Sequence, residues 1–372
     1  MKITIDRAAL LKPLGHVQSV VERRNTIPIL SNVLLKAADG RLSLTATDMD
    51  MSIVETVACA IDQPGELTVA AQMIHEIVRK LPAGVEVELD TNGDSGRLTV
   101  RGGRSVFTLP TLPVDDFPAV AHDDLNITFA VSATDAKMLI DRTRFAISTE
   151  ETRYYLNGIY LHAGQNNEVQ VLRAVATDGH RLARVEMPLP EGAAAMPSVI
   201  VPRKAVGELR KLIDEIDGDV NIALSETKLC FTFADTVLTT KLIDGTFPDY
   251  ERVIPTDNDK VLHVDCKTFA AAVDRVAIIS TEKSRAIKMT IGNGALILLA
   301  NSPDAGSGRE ELEVDYNAQP LEIGFNSRYL LDITAQIDGG EAVFTLADAA
   351  APTIIRDGAD DSALYVLMPM RV

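Results

Sequence analysis

Tryptophan is absent from the 372 residues, aromatic side chains make up only 5%, and there are three cysteines, Cys59, Cys230 and Cys266. With so few rings, the hydrophobic cores must be built from Leu, Ile, Val and Ala, and no aromatic-rich platform for stacking single-stranded nucleic acid is present. Three widely separated cysteines indicate neither a disulfide framework nor a zinc site. They fit a reducing, cytoplasmic location best.

Several other signals are missing. No apolar run approaches the roughly 20 residues that span a bilayer, and no basic start precedes an apolar signal core, so we expect no membrane partner. No phosphate-binding GxxxxGK loop occurs, which leaves any ATP hydrolysis to a partner. The stretch Asp90–Gly96 resembles the start of a calcium loop, but its twelfth position is Arg101 instead of Glu. It is read as a polar hairpin turn, and no metal or cofactor is expected.

The formal net charge is −17, which taken alone argues against binding to phosphate. Its distribution is uneven. Six windows predicted to be helical hold 16 basic and 9 acidic residues, a net of +7, which leaves −24 for the rest of the chain. The windows are 7–24, 72–80, 133–146, 203–215, 267–276 and 327–335. These charges are either solvated helix faces or, if the helices share one surface, a site for weak, sequence-independent contact with a duplex backbone.

The chain repeats one pattern three times, a short alternating strand followed by an amphipathic helix. It begins each unit, at Ile3–Val17, Ile127–Ile140 and Val261–Val273, and recurs later in each unit, at Leu67–Leu81, Val199–Leu212 and Leu321–Ile337. In the first helix the apolar residues Leu10, Leu11, Leu14 and Val17 have helical spacing. In the second unit an Asp or Thr near the strand end is the expected N-cap.

Strand runs lie between the helices of each unit. Ile29–Asp48, Tyr155–Asp178 and Ala286–Asn301 each contain a hairpin turn rich in Gly or Asn. Pro-containing stretches at Leu112–Val120 and Ile243–Pro255 are the natural junctions. We therefore predict an α+β fold of three tandem domains, 1–120, 128–249 and 250–372, each with two helices and antiparallel strands.

Tandem domains that meet head to tail form a ring if the rotation per copy closes. A ring would also remove exposed sheet edges. An open three-domain rod is the alternative, and the repeat pattern alone leaves both possible. As a function, a peptide-binding scaffold without a role on DNA remains the rival to DNA binding.

The tetrapeptide Thr177-Asp178-Gly179-His180 invites an enzyme interpretation, a hydrolase in which Asp178 orients His180 as a base. The first repeat has Thr47-Asp48 at the same place, followed by Met49, so the aspartate is predicted to be a shared turn residue. The remaining histidines show no ligand spacing and are expected to be surface or core residues: His16, His75, His122, His162 and His263.

Four stretches carry a family resemblance: RYYLNG at Arg153–Gly158, ATDGHRLA at Ala176–Ala183, FPDYERVIP at Phe247–Pro255 and YVLMPMRV at Tyr365–Val372. With the opening ITIDRAALLKPL and IPIL at Ile27–Leu30, the chain resembles bacterial DNA sliding clamps, the β subunit of DNA polymerase III, over its full length. The resemblance implies a non-catalytic, head-to-tail dimeric ring of six domains, with helices lining the hole and sheets outside. It also implies partners: duplex DNA, the polymerase III α subunit, the clamp loader, and other polymerases and repair proteins.

By the same resemblance, partners insert a Gln-Leu-rich peptide into a cleft between the second and third domains. The matching positions are Leu156, Thr177, Gly179, His180, Arg181, Leu182, Pro248, Arg252, Val253, Asn326, Tyr329, Val366, Met368, Pro369, Met370 and Arg371. Leu, Val, Pro and Met suit an adaptable apolar pocket, while Arg181, His180 and Asn326 suit a peptide's polar groups. Leu182 and Val366 are equally compatible with ordinary junction packing, whereas an apolar chain end is unusual unless docked.

The resemblance further implies DNA contacts and a subunit interface. The DNA positions are Arg24, Gln72, Glu150, Tyr154 and Tyr155, supported by Arg79, Arg203 and Lys204 on the helices. Gln72 and Glu150 depart from the family pattern, and a carboxylate suits phosphate poorly. The interface positions are Ile278 and Ile279, with Arg97 and Arg104 facing acids such as Asp304 and Glu310. The acidic stretch is diluted here to PDAGSGREE, so weaker ion pairing is expected.

Overall fold

The computed structural model describes residues 1–22, 26–91, 93, 96–118, 125–280 and 285–372. These residues form two compact units. Unit 1 consists of Met1–Ala136, Pro190–Met196 and Lys204–Leu242, and unit 2 of Lys137–Leu189, Pro197–Arg203 and Ile243–Val372. The second copy of the repeat is therefore divided, with part of its strands in each unit.

The described residues contain six α-helices, two per copy, as the repeat predicts. They are α1 Arg7–Val20, α2 Ala71–Lys80, α3 Ala133–Arg144, α4 Arg203–Ile213, α5 Cys266–Ala277 and α6 Ser327–Thr334. None of these helices is long and apolar enough to cross a membrane. Each follows a strand directly, so the six predicted strand–helix pairs are confirmed.

Side-chain caps begin the first helix of each copy. Asp6 accepts hydrogen bonds from the Ala8 and Ala9 amides in α1, and Asp265 accepts one from the Thr268 amide in α5. The predicted Asp or Thr cap of α3 is wrong. The cap is Ser132, whose Oγ accepts from the Asp135 amide at 3.0 Å, because the residue that ends the strand is the one placed beside the free amides.

Unit 1 is organised by one antiparallel sheet. Its described strands are β1 Lys2–Asp6, β2 Asn32–Ala38, β3 Arg41–Thr47, β4 Met51–Ala58, β5 Ala60–Gln63, β6 Gly65–Ala70, β7 Glu86–Asp90, β8 Arg97–Gly102, β9 Ser105–Leu112, β10 Ile127–Ser132, β15 Asp219–Leu224, β16 Lys228–Phe233 and β17 Thr236–Lys241. Their order is β10-β15-β16-β17-β4-β3-β2-β6-β9-β8-β7-β1-β5. Side chains alternate between the buried and exposed faces, as in β7 and β10. β7 and β8 pair directly, which supports a hairpin where the calcium-loop likeness lies, although Asn92, Asp94 and Ser95 are outside the described residues.

Unit 2 contains two antiparallel sheets. Their described strands are β11 Gly158–Asn166, β12 Val169–Thr177, β13 Arg181–Pro188, β14 Val199–Pro202, β18 Lys260–Asp265, β19 Ala286–Gly292, β20 Ala295–Ser302, β21 Gly306–Glu313, β22 Asp315–Tyr316, β23 Leu321–Asn326, β24 Glu341–Leu346, β25 Thr353–Asp357 and β26 Asp360–Leu367. The larger sheet has the order β14-β11-β12-β13-β26-β25-β24-β18-β22 and the smaller one β21-β20-β19-β23.

The hairpin β2–β3 and its counterparts β11–β12 and β19–β20 share a two-residue turn with both φ angles positive. The turn residues are Asp39-Gly40, Asn167-Glu168 and Asn293-Gly294. This is the primed turn that matches strand twist and favours Gly and Asn. The predicted hairpins are confirmed at all three places.

Consecutive copies are joined by strand pairing at what we call seams. The first seam pairs β4 with β17 in unit 1, and the second pairs β13 with β26 in unit 2. Ser52 lies opposite Thr239, and Leu182 opposite Val366. Ser52 and Leu182 occupy the same place in their copies, since each pairs with the threonine that ends the preceding strand. The two seams therefore share one register.

Candidate functional site: a partner-binding cleft, basic helices and free sheet edges

The floor of the predicted cleft is a hydrophobic cluster beneath the second seam. Its buried members are Leu156, Val175, Leu182, Ile200, Phe247, Tyr250, Ile354, Leu364 and Val366. Leu182 is 2% exposed and Val366 1%. For these two residues, core packing is therefore the observed role, and any peptide side chain would rest on a surface that they support from below.

Arg181 braces the wall of the cleft. Its Nε donates to Asp178 Oδ2 at 3.1 Å, Nη1 to Asp332, and Nη2 to the Phe145 carbonyl at 2.6 Å. The guanidinium also lies 4.3 Å from the centroid of the Tyr329 ring. Three of its five N–H donors are thus engaged internally and the side chain is buried. The main role of Arg181 in this structure is to hold neighbouring residues in place, which the sequence did not indicate. Only its remaining donors are left for a peptide.

We expect Arg181→Lys to weaken binding of a Gln-Leu-rich peptide by about tenfold and to lower the thermal midpoint, because Lys keeps the charge but loses the planar fork and the ring contact. Fluorescence anisotropy of a labelled peptide and scanning fluorimetry measure the two effects. Arg144→Lys is the matched control outside the cleft, since Arg144 is exposed and paired locally with Asp141 at 3.0 Å, and it should leave peptide affinity unchanged. Wild-type affinity in Arg181→Lys would contradict the bracing role.

The rim around Arg181 is formed by His180, Tyr329 and Asn326. The His180 and Tyr329 rings stack at 6.4 Å and 23°. Burial raises the pKa of the Tyr329 hydroxyl, followed by the nearby Asp178 charge. Asn326 Oδ1 caps α6 by accepting from the Arg328 amide at 3.0 Å, so its carbonyl oxygen is already occupied and its amide group is the part left for a peptide.

The chain end docks beside the same rim, as its apolar character predicts. The Met368 amide donates to the His180 carbonyl and the Met370 amide to the Gly324 carbonyl, both at 2.9 Å. A Cβ on Gly324 would lie 2.6 Å from the Met370 carbonyl oxygen, so only glycine allows this approach. The Met368 side chain remains exposed, while Pro369 and Met370 are half-buried and Arg371 is exposed.

The segment after the second copy completes the apolar surface. Phe247 stacks on Tyr160 with ring centroids 4.6 Å apart, and this fixes the loop that carries Pro248. A short 3-10 helix, Tyr250–Val253, then buries Tyr250 and leaves Arg252 and Val253 exposed. Pro248, Val253 and Met368 therefore present apolar surface to solvent.

Thr177 and Asp178 form a turn whose three hydrogen bonds are repeated in the first copy. Asp178 Oδ1 accepts from the His180 and Arg181 amides, and Thr177 Oγ1 donates to the Arg181 carbonyl. Their counterparts Asp48 and Thr47 make the same three bonds. The predicted shared turn is confirmed, and Asp178 is not placed to orient His180 as a base.

The first seam has a pocket at the place that corresponds to the cleft. It has a volume of about 240 Å³ and is lined by Thr47, Met49, Asp50, Met51, Ser52, Pro118, Lys228, Thr239, Thr240 and Lys241. Ser52 and Thr239 stand where the second seam has Leu182 and Val366. The residues that pair across the seam here are therefore polar, whereas Met49, Met51 and Pro118 give the pocket apolar lining. Lys241 pairs with Asp50 at 3.1 Å. The second seam therefore has an apolar pair, Leu182 and Val366, where the first has a polar one.

The predicted DNA positions differ in how their charges are used. Arg24 lies outside the described residues, while Gln72 and Arg79 are exposed on α2, with Arg79 paired to Glu76 at 2.7 Å. Tyr154 and Tyr155 form an edge-to-face pair at 5.7 Å.

Glu150 was expected to suit phosphate poorly. Both of its oxygens accept from Arg153 at 2.7 Å. This hydrogen bonding lowers the pKa of Glu150. The carboxylate is therefore offset by a local cation, which reduces that objection.

Lys204 and Arg203 are neighbours in α4 with different roles. The Lys204 ammonium contacts Asp48 and lies 3.3 Å from Glu22. Burial opposes its charge, but these two acids raise its pKa above the usual value. Arg203 is exposed and, within the described residues, has no ion-pair partner. The two residues therefore differ in how their charge is used, because Lys204 is engaged within unit 1 and Arg203 is available. That they serve DNA stays a prediction.

Two strands have an unpaired edge at the position where, in each seam, a strand of the neighbouring repeat is paired. β9 corresponds to β17 and β26, and over residues 105–110 its only described partner is β8. β21 corresponds to β4 and β13 and ends its sheet. Apolar side chains are exposed here: Val106 is 62% exposed, Phe107 39% and Ile278 79%. The sequence interpretation missed Val106 and Phe107, although adjacent outward apolar residues in a strand could have signalled them.

The predicted ionic groups of these edges are also located. Arg97 and Arg104 are exposed in and after β8, and Asp304 is exposed in the β20–β21 turn. Glu310 was expected to face an arginine of another subunit. Within its own chain it accepts a hydrogen bond from Arg275 Nε at 2.7 Å. Its charge is therefore partly used within unit 2. Among the described residues, no group of His, Cys, Asp and Glu could hold a metal ion.

Three family models match the chain in order. They are the N-terminal domain of the DNA polymerase III beta subunit at residues 1–121, the central domain at 130–249 and the C-terminal domain at 251–371. The beta sliding clamp of Caulobacter vibrioides strain NA1000 is 55% identical over 372 residues and that of Escherichia coli K12 40% over 373, each covering 100% of both chains.

Solved structures agree with these matches. A sliding clamp from Bartonella birtlesii bound to griselimycin is 53% identical, with a TM-score of 0.97 and full coverage of both chains. A Caulobacter crescentus clamp is 55% identical with a TM-score of 0.98, covering 100% of this chain and 99% of that one. The family consists of dimeric rings that make DNA polymerase III processive without catalysis of their own. With three clamp domains in tandem, the chain belongs to the DNA polymerase III β subunit family, the bacterial sliding clamps, and is a processivity clamp.

Proposed function

We propose that two copies of this chain join through β9 and β21 into a ring that encloses duplex DNA and holds polymerases on it. The observation that carries this proposal is the shared register of the two seams. Every chain carries both strands that a third pairing of the same kind would need, β9 in its first repeat and β21 in its third. Identical head-to-tail contacts of this type close when the rotation permits.

The register of this third pairing follows from the first two. Thr108 corresponds to Thr239 and Val366, since each lies opposite the equivalent residue of the preceding strand. By the β20–β21 pairing, Ser307 corresponds to Ser52 and Leu182. Ser307 of one copy is therefore expected opposite Thr108 of the other, and Gly308 opposite Phe107.

Gly308 gives this register a physical reason. A Cβ there would lie 3.1 Å from Ile279 Cγ1, so the glycine leaves room beside Ile279. The Phe107 ring can pack over that space and cover Ile278 and Ile279. Arg97 and Arg104 would approach Asp304 and Glu310 at the rim, where exposed ion pairs contribute little.

For DNA, the contacts proposed are Arg24, Gln72, Arg79, Tyr154, Tyr155 and Arg203, with Glu150 only as part of its pair with Arg153. Among the described residues, most helix cations already have acidic partners, as in Lys12–Glu215 and Arg210–Asp214. A small number of unpaired cations is what we expect of a clamp, because enclosure retains the DNA and weak contacts leave it free to slide.

Arg203→Ala and Lys204→Ala should distinguish a cation that is available to DNA from one that is already paired with acids of its own chain. Arg203→Ala is expected to reduce the slope of log K against log salt for duplex binding by about 1, because one phosphate contact is lost. Lys204→Ala should leave that slope unchanged and instead lower the thermal midpoint, because Asp48 loses its cation. Anisotropy titrations at several salt concentrations and scanning fluorimetry provide the data. Equal slopes in the two variants would remove Arg203 from the DNA surface.

The cleft is proposed to bind the Gln-Leu-rich peptides of the polymerase III α subunit, the clamp loader, and other polymerases and repair proteins. Its support is the exposed apolar surface of Pro248, Val253 and Met368 above the buried pair Leu182 and Val366, where the first seam has the polar pair Ser52 and Thr239. We propose domain boundaries at 1–120, 128–249 and 250–372, and a cytoplasmic location because the DNA being replicated is there.

Retention on DNA tests the ring directly. After loading onto nicked circular DNA, the protein should remain bound through gel filtration at high salt and should leave when one cut makes the DNA linear. Equal retention on both forms would contradict enclosure and favour the scaffold without a role on DNA.

A further inference from the structure

We propose that His16 is a proton-dependent clasp across the first seam, holding α1 of the first copy to α4 of the second while the imidazole is charged. The histidine was expected to be a surface or core residue. Its surroundings in unit 1 instead show a residue whose two ring nitrogens both face acids. This inference concerns the stability of the seam and does not depend on the proposed function.

The geometry at His16 requires a charged ring. Nδ1 lies 2.8 Å from Glu55 Oε2 and Nε2 lies 3.3 Å from Glu215 Oε1. A neutral imidazole carries one N–H, whereas an ionised carboxylate only accepts. Both contacts are satisfied together only by the imidazolium. Deprotonation would leave one carboxylate facing a lone pair.

Burial matters because solvent cannot easily replace the lost partner. His16 and Glu55 are both largely shielded, and they border a cavity of about 280 Å³ between α1, β4, the end of α4 and the β16–β17 turn. Burial by itself would lower the pKa of His16, but hydrogen bonds and charge from Glu55, then from Glu215, outweigh it and raise the pKa above 6.5.

The other charged groups around His16 are largely committed elsewhere. On α1, Lys12 Nζ lies 2.8 Å from the second oxygen of Glu215. In the β16–β17 turn, Asp235 pairs with Arg41. On α2, His75 lies near Gly15, and burial lowers its pKa. A neutral His16 would keep its one N–H on Glu55, the nearer acceptor, so the contact that is lost is the one across the seam to Glu215, which Lys12 alone would then hold.

The other two copies have a permanent cation at the same place. His16, Arg142 and Arg275 each lie ten residues after the cap of their helix, Asp6, Ser132 or Asp265. Arg142 contacts Asp360 at 2.5 Å and Asp338 at 3.4 Å across the second seam. Arg275 contacts Glu310, which corresponds to Glu55. Among the three copies, the first is the one whose helix cation at this place can lose its charge near neutral pH.

The sign of the effect follows from the raised pKa. The contribution of His16 to seam stability is fully present below about pH 6.5, its ordinary value, and is lost as pH rises through the higher folded-state pKa. The first seam should therefore open more readily above neutrality, while the second seam should not change in this window.

Hydrogen exchange of the full-length protein, followed by mass spectrometry at pH 6 and pH 8.5 and corrected for intrinsic rates, tests the clasp. We expect protection in segments 52–57 and 212–216 to fall by about fivefold or more at the higher pH, the loss of one charge-assisted hydrogen bond. In His16→Arg, protection should stay constant with pH. In His16→Gln, it should already be low at pH 6.

A converse variant guards against a fold that does not tolerate arginine at position 16. Arg142→His should create a new pH dependence at 338–342 and 360–364 while leaving the first seam as in the wild type. NMR titration of His16, identified by its absence from His16→Gln, should give a pKa above 6.5 that falls in Glu55→Gln. A pKa at or below 6.5, or equal loss of protection in wild type and His16→Arg, would overturn the clasp.

Discussion

Removal of Met368–Val372 is expected to abolish binding of a polymerase-derived clamp peptide, a loss of about 100-fold or more, while the dimer persists. The deletion removes the exposed Met368 side chain and the two amides that anchor the tail to His180 and Gly324. Apolar anchors at the centre of a small interface carry most of its free energy. Anisotropy with a labelled peptide measures the affinity, and analytical ultracentrifugation measures the dimer.

A shorter deletion, Arg371–Val372, is the matched control. It leaves Met368, Pro369 and Met370 and both anchoring amides, so it should keep most of the affinity. Unchanged peptide binding in the longer deletion would show that the tail is not part of the cleft. Loss of the dimer in either variant would show that the chain end supports the fold more widely than its contacts indicate.

Phe107→Asp is expected to convert the protein to monomers and to eliminate retention on circular DNA. In the inferred register the new carboxylate would face Gly308 and Ile279, close to Glu310, without a partner. A charge buried there unpaired costs several kcal/mol, and the cost applies at both interfaces of a closed ring. Sedimentation equilibrium should show a dissociation constant raised by about 100-fold or more, with the thermal midpoint little changed because Phe107 is already partly exposed in one copy.

Val169→Asp provides the comparison for that experiment. Val169 begins β12 in unit 2 and is 58% exposed, so it adds the same charge at an exposed strand residue that neither seam nor the inferred interface uses. It should remain dimeric and be retained on circular DNA. A dimeric Phe107→Asp would contradict the pairing of β9 with β21 and would favour the open-rod arrangement.

Local patterns were sufficient to predict the repeated elements. Apolar spacing located all six helices, and Gly or Asn placed the three hairpins, because amphipathic periodicity and positive φ angles are properties of a few neighbouring residues. The cap of α3 was misassigned because Ser132, Thr134 and Asp135 all suit a cap, and only the direction in which the strand delivers the chain selects Ser132. The resemblance located the cleft positions, but it could not separate those that support the floor from those that are exposed.

The repeat, the two helices per copy and the separation of basic helices from an acidic remainder were determined by the sequence alone, since each depends on residue type and spacing. Tertiary structure decided which charges are free. Lys204, Arg181 and His16 look alike in sequence as polar residues near a junction, yet each is held by acids from distant parts of the chain. Electrostatic roles depend on which groups the fold brings within a few ångströms, and residue spacing along the chain does not contain that distance. The unpaired edges of β9 and β21 were likewise recognised only in the tertiary structure, by comparison with the equivalent strands that are paired in the two seams.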